Sequence, residues 1–108
     1  FIQVRSGVVL SIAMAHGEGG VGAGPAHRQC LAAAGQIATQ YVDAAGNPSM
    51  DITVNPNGSD WAIEGLTSPD GRIFGKMGHS ERIGRFVAAN VPGAKDQRIF
   101  EAGVAYFR

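Results

Sequence analysis

The sequence is 108 residues long and 44% hydrophobic, enough for one compact apolar core and too little for two domains. Nine Lys and Arg balance nine Asp and Glu, so the charge offers no footing for a nucleic acid or an anionic membrane surface. One cysteine, Cys30, allows no internal disulfide, and no Cys/His set has the spacing of a zinc site, a usage that fits a reducing compartment such as the cytosol.

The chain opens on Phe1 rather than Met, and its first residues read as the interior of a fold, so a fragment or a processed product is expected. Arg5, the run from Gly7 to Ala15 and the Ala13-Met14-Ala15 triplet bear a faint likeness to a secretory signal with a small-residue cleavage site. A buried strand over Val8 to Ala15 accounts for the same β-branched run, and no stretch is long enough to span a bilayer. The run closes on His16-Gly17-Glu18-Gly19-Gly20, a glycine-rich turn.

Helix-forming residues from about Ala26 to Ala34, followed by Gly35 as a C-cap glycine, predict a short helix. Gln36 to Val42 alternates apolar and polar residues as a strand does, and Ala45-Gly46-Asn47-Pro48 supplies the next turn. Asp51 to Val54 reads as a brief strand, and Asn55-Pro56-Asn57-Gly58-Ser59 as a rigid loop. Ala62 to Thr67, the Ser68-Pro69-Asp70-Gly71 turn and Arg72 to Met77 predict a β-hairpin. A closing amphipathic helix is expected from about Lys95 to Phe107.

His79 and Glu81 are the residues to examine for chemistry. In extended backbone, side chains two apart point to the same side, which brings a carboxylate to an imidazole. In acyl transfer a histidine takes the proton of a thiol or hydroxyl, and a carboxylate fixes its tautomer. The spacing alone fits an ordinary hydrogen-bonded surface histidine as well. Cys30 lies inside the predicted helix between Arg28 and Ala32, without the small flanking residues of a nucleophile elbow, and is expected to pack in the interior. Ser11, Ser59, Ser68 and Ser80 lack that setting too. His16 with Glu18 forms a second polar group, on a turn whose backbone amides can meet a ligand carboxylate or carbonyl. His27 is expected on a solvated helix face. Gly17-Glu18-Gly19-Gly20-Val21-Gly22 matches the Gly-x-Gly-x-x-Gly string, but Ala23-Gly24-Pro25 follows where a dinucleotide site opens its helix.

In order, Ala15-His16-Gly17-Glu18-Gly19, Gln40-Tyr41-Val42-Asp43, Asn55-Pro56-Asn57-Gly58-Ser59, Ile63 to Arg72 and Met77-Gly78-His79-Ser80-Glu81-Arg82 resemble the glutaminase domain of phosphoribosylformylglycinamidine synthases, over most of the chain. The resemblance implies a class I, triad-type glutamine amidotransferase. Residues 1–108 then form the C-terminal half of a three-layer α/β domain with a mixed sheet and a β-hairpin. His79 matches the family's general base, Glu81 its orienting carboxylate, and His16 and Gly17 a loop lining the glutamine pocket. L-glutamine and a synthetase domain are the implied partners. ATP and Mg2+ belong to that synthetase domain, and neither a cofactor nor a metal is implied for this chain.

Three departures bear on activity. The Gly-x-Cys-x-Gly-type elbow, which in this family precedes everything seen here, is not in these 108 residues, so the piece alone is expected to be inactive. Many members carry His-Pro-Glu-Arg where this chain has His79-Ser80-Glu81-Arg82, which removes a backbone constraint and leaves both side chains. After Gly19 the usual arginine and aromatic give way to Gly20-Val21-Gly22-Ala23-Gly24, a loop expected to be more flexible. The implied function is release of ammonia from glutamine for ATP-dependent conversion of formylglycinamide ribonucleotide to the amidine, in the cytoplasm, on a chain fused to its synthetase. The alternatives are part of a stand-alone glutaminase subunit or a non-catalytic lobe docking on a synthetase. Half a sheet would leave an edge and apolar surface open, so association with the remainder of the domain or with itself is expected.

Overall fold

The computed structural model of the protein describes residues 7–108; residues 1–6, among them Arg5 of the signal-like stretch and the Phe1 start, lie outside the described residues. The elements are α1 (Pro25–Ala33), β1 (Ile37–Gln40), a 3-10 turn (Asp60–Ala62), β2 (Ile63–Thr67), β3 (Phe74–Lys76) and α2 (Ile99–Phe107). The chain divides into two compact units, His16–Met77 and the residues up to Ala15 together with Gly78–Arg108. No helix among the described residues is long and apolar enough to cross a membrane.

In the unit His16–Met77 the helix begins and ends where local chemistry dictates. Pro25 stands in the first turn of α1, where its missing N–H costs no hydrogen bond. Gly35 takes φ +65°, and the Gly35 and Gln36 N–H groups donate to the Ala32 and Leu31 carbonyls at 3.1 and 2.9 Å. That is the Schellman closure, which needs a residue tolerant of left-handed backbone. Strands β1, β2 and β3 then form a sheet in that order, antiparallel throughout. The hairpin turn is stitched by Ser68 and Asp70: the Ser68 hydroxyl donates to Asp70 Oδ1 at 2.6 Å, and the Ile73 N–H donates to Ser68 Oγ at 3.0 Å.

The coarse α/β expectation and the hairpin agree with this architecture, but several elements differ. The three described strands are all antiparallel, and the mixed sheet expected of the whole domain is not represented among them. Val8 to Ala15 forms no strand, and Val8 and Val9 are exposed. Ser11 N–H donates to the Ala94 carbonyl at 2.7 Å, yet no ladder joins the run, and an apolar stretch becomes a strand only where another backbone pairs with it. Asp51 to Val54 is a turn: the Asp51 carboxylate accepts from both the backbone N–H and the hydroxyl of Thr53, at 2.8 and 2.6 Å. An Asp side chain that captures the backbone two residues on competes with strand pairing.

The Asn55–Ser59 loop is rigid for the reason its composition suggests. Asn55 and Ser59 are both fully buried. The Asn55 amide donates to the Ser59 carbonyl at 2.8 Å and accepts from the Ser59 N–H at 2.9 Å, so each buried polar group finds its partner in the other. The same segment pins the glycine loop after Gly19. Asn57 Nδ2 donates to Gly19 O, Val21 N–H to Ser59 Oγ, Asp60 N–H to Val21 O and Ala23 N–H to Asp60 Oδ2, at 2.6 to 3.1 Å. The loop expected to be flexible from its glycines is therefore tied down at four points by residues about 40 positions further along the chain.

In the other unit, α2 begins at Ile99, later than the expected Lys95. Asp96 and Arg98 set the start: the Arg98 N–H donates to Asp96 Oδ1 at 2.8 Å, and Arg98 takes φ +49° at the N-cap. Ala102 is the buried residue of this helix, while Phe100, Val104, Tyr106 and Phe107 are exposed.

Candidate active site

The Met77 N–H donates to the Glu64 carbonyl at 2.9 Å, the last backbone link of the hairpin before the chain leaves the sheet. Residues 78–83 then form a tight turn and not the extended backbone assumed from the spacing. Ser80 N–H donates to Gly78 O, Arg82 N–H to His79 O, and Ile83 N–H to Glu81 O, at 3.0 to 3.2 Å. The turn brings together the two residues that strand alternation was to align: His79 Nδ1 lies 2.7 Å from Glu81 Oε1.

Both members of the pair face solvent, with side chains 44% and 40% exposed. The hydrogen bond from His79 holds the Glu81 carboxyl below its usual range, with smaller help from its own backbone N–H and from the nearby charges of His79 and Arg82. A carboxylate that stays ionised beside Nδ1 keeps the proton on that nitrogen and orients Nε2 for proton exchange. The two side chains therefore meet as the spacing suggests, by a different backbone route.

Between them, Ser80 turns inward. It is 4% exposed, and its hydroxyl donates to the side-chain carbonyl of Gln97, itself 9% exposed. The sequence carries no signal for this contact, because Gln97 lies 17 positions away across an unpatterned segment.

His16 and Gly17 belong to the unit His16–Met77, on a bend ahead of the pinned glycine loop. His16 is half-buried, and a side chain at Gly17 would meet no atom within 4 Å, so this stretch leaves space for a ligand to approach the backbone. Cys30 is exposed on α1, a helix with no buried residue, and not packed in the interior as expected. His27 is exposed as expected. The dinucleotide reading fails because no strand precedes the glycines; Pro25 does not block the helix but opens it. Among the described residues no group of three or more His, Cys, Asp or Glu is placed to hold a metal ion.

A second polar group escaped sequence reasoning. Glu64 on β2 and Lys76 on β3 form an ion pair at 3.4 Å with side chains only 6% and 9% exposed, and the Thr39 hydroxyl of β1 donates to the same carboxylate. Tyr41 lies close to it; burial, and then the Glu64 charge, push the phenol up to about 12. This cluster ties all three strands together within the sheet.

A family model described as a CobB/CobQ-like glutamine amidotransferase domain matches residues 1–107. The chain belongs to that family. Among curated proteins similar to it are two named phosphoribosylformylglycinamidine synthase subunit PurQ, from Synechococcus elongatus and a Synechococcus species. Each is 37% identical to this chain over 89 residues, which is 82% of this chain and 35% of the relative. The chain thus spans little more than a third of the length of these relatives. Membership in the amidotransferase family gives the His79–Glu81 pair a chemical context that spacing alone did not.

Proposed function

We propose that this chain is the C-terminal part of a glutaminase domain, in which His79 is the proton-transfer group and Glu81 its orienting carboxylate. The observation that carries the reading is the 2.7 Å contact between His79 Nδ1 and Glu81 Oε1 in a chain of the amidotransferase family. The nucleophile comes from residues outside these 108, since Cys30 lies on an exposed helix face without an elbow.

The chemistry runs in two halves. His79 takes the proton of a cysteine thiol, and the thiolate attacks the side-chain amide carbon of glutamine. The tetrahedral adduct collapses with loss of the amine, which takes its proton from His79 and leaves as ammonia. His79 then removes a proton from water, which attacks the thioester and releases glutamate and the thiol. Glu81 holds the ring and stabilises its charged form throughout. A contact with glutamine is the role the resemblance implies for His16 and Gly17.

The PurQ relatives, named as subunits of phosphoribosylformylglycinamidine synthase, support a setting in purine biosynthesis. In this reading the ammonia converts formylglycinamide ribonucleotide to the amidine, in the cytoplasm, beside a synthetase that holds ATP and Mg2+. The whole domain is expected to be three-layered with a mixed sheet, of which the antiparallel hairpin region is one part.

In the full-length protein, His79→Ala should abolish glutamine-dependent turnover and leave turnover with added ammonia. Equal loss of both activities would refute the assignment.

A further inference from the structure

The turn that carries His79 and Glu81 lies outside the sheet, so no strand ladder fixes its orientation. Two side chains on such a turn keep a fixed mutual geometry only if something holds the backbone between them. The middle residue, Ser80, is buried while both of its neighbours are exposed. Its hydroxyl is committed to the side-chain carbonyl of Gln97. Gln97 in turn is held at the entrance of α2, between Asp96, which accepts from the Arg98 N–H, and the N-cap Arg98, whose carbonyl accepts from the Ala102 N–H at 2.9 Å. Arg98 also pairs with Glu101 on the first turn of that helix. A rigid helix start is therefore connected, through one buried hydrogen bond, to the residue between the proposed base and its orienter.

We propose that Gln97 is a positioning residue for the His79–Glu81 pair, acting through its buried hydrogen bond with Ser80. This rests on the glutaminase reading above. Gln97 touches neither substrate nor the reacting atoms; it holds the turn so that the imidazole and the carboxylate meet in one orientation. Loss of the bond removes the buried tie between the turn and the start of α2, and the turn can then carry the pair out of line with the thiol and the amide carbon. Misplacement of about 1 Å costs roughly a hundredfold in rate, whereas glutamine binding, which does not depend on the direction of His79 Nε2, is spared.

The test uses the full-length protein and measures glutamate release from glutamine. Gln97→Leu and Ser80→Ala should each lower kcat roughly ten- to hundredfold with KM for glutamine changed less than about twofold. The double variant should be no worse than either single one, because both remove the same bond. Gln97→Glu, which keeps the acceptor oxygen, should restore most of kcat. A low-field Nδ1 proton of His79 is expected in the nuclear magnetic resonance spectrum of the unsubstituted protein, and it should broaden or vanish in Gln97→Leu and return in Gln97→Glu. If Gln97→Leu fails to fold, Ser80→Ala, which removes one oxygen, decides. The proposal is overturned if kcat stays within twofold in the folded variants while His79→Ala abolishes glutaminase activity. It is also overturned if kcat falls with the Nδ1 proton unchanged, or if Gln97→Glu fails to rescue. Glutaminase activity surviving in His79→Ala would instead remove the reading beneath it, and the inference with it.

Discussion

Lys76→Met tests whether the Glu64–Lys76 pair is buried enough to behave as an interior charge pair. The substitution keeps the aliphatic stem and removes the ammonium group. At 3.4 Å and an effective dielectric constant of about 20, the attraction is about 5 kcal/mol. Much of that is offset by the cost of taking both ions out of water, so the pair as a whole contributes little. Removing one partner is different, because the buried Glu64 carboxylate then loses the Lys76 cation. The expected loss is about 3–5 kcal/mol, a large share of the roughly 5–15 kcal/mol that holds a domain together. Urea unfolding monitored by the fluorescence of Trp61, the one tryptophan, would show it. With a slope of about 1–3 kcal/mol per molar urea, the midpoint should fall by roughly 1–5 M. The double variant Glu64→Leu with Lys76→Met should recover most of the loss, since no charge is then stranded. A cost for Lys76→Met below about 1 kcal/mol, the range of exposed pairs, would refute the reasoning, as would a double variant as weak as the sum of the singles.

The same geometry sets other outcomes. Glu81, held down first by the His79 hydrogen bond, should titrate below its ordinary value of 4.5. The stability it adds is present above that value and is lost as pH falls through the lower folded-state pKa. The carboxyl carbon shift of Glu81 checks this, and in His79→Ala its midpoint should move back up; an unchanged midpoint would show that the pair does not form in solution. Tyr41 works in the opposite sense: its phenol is raised from 10.0 to about 12, so its contribution is complete below pH 10 and is lost as pH rises toward 12. Phenolate absorbance, taken as the difference from Tyr41→Phe, should have its midpoint near 12; a midpoint near 10 would place the ring in water. The exposed apolar side chains, among them Phe86 at 83%, Ile52 at 75% and Phe100 at 70%, lead us to expect that the isolated chain self-associates. Light scattering at micromolar concentration checks this, and a well-behaved monomer would count against it.

What the sequence determined by itself is what neighbours along the chain can settle. Helix α1 starts at Pro25 and stops at Gly35 because a missing N–H and a tolerance for positive φ are properties of those residues alone. The Ser68–Gly71 turn closes on its own Ser and Asp side chains, and the Asn55–Ser59 loop satisfies its buried groups within five residues. The pairing of His79 with Glu81 was legible for the same reason, although the spacing suggested a strand and the backbone forms a turn.

Only the tertiary structure decided the rest, because it depends on partners distant in sequence. The Val8 to Ala15 run has the composition of a strand, but composition cannot supply a pairing backbone. The glycine loop reads as loose until Asn57, Ser59 and Asp60 arrive from some 40 residues downstream to hold it. Nothing in the local pattern around Glu64 announces a buried carboxylate; it is tolerated because β1 brings Thr39 and β3 brings Lys76 to it. The Ser80–Gln97 bond is of the same kind. A buried polar group is stable only against its complement, and where that complement lies far along the chain, the fold alone determines which residues meet.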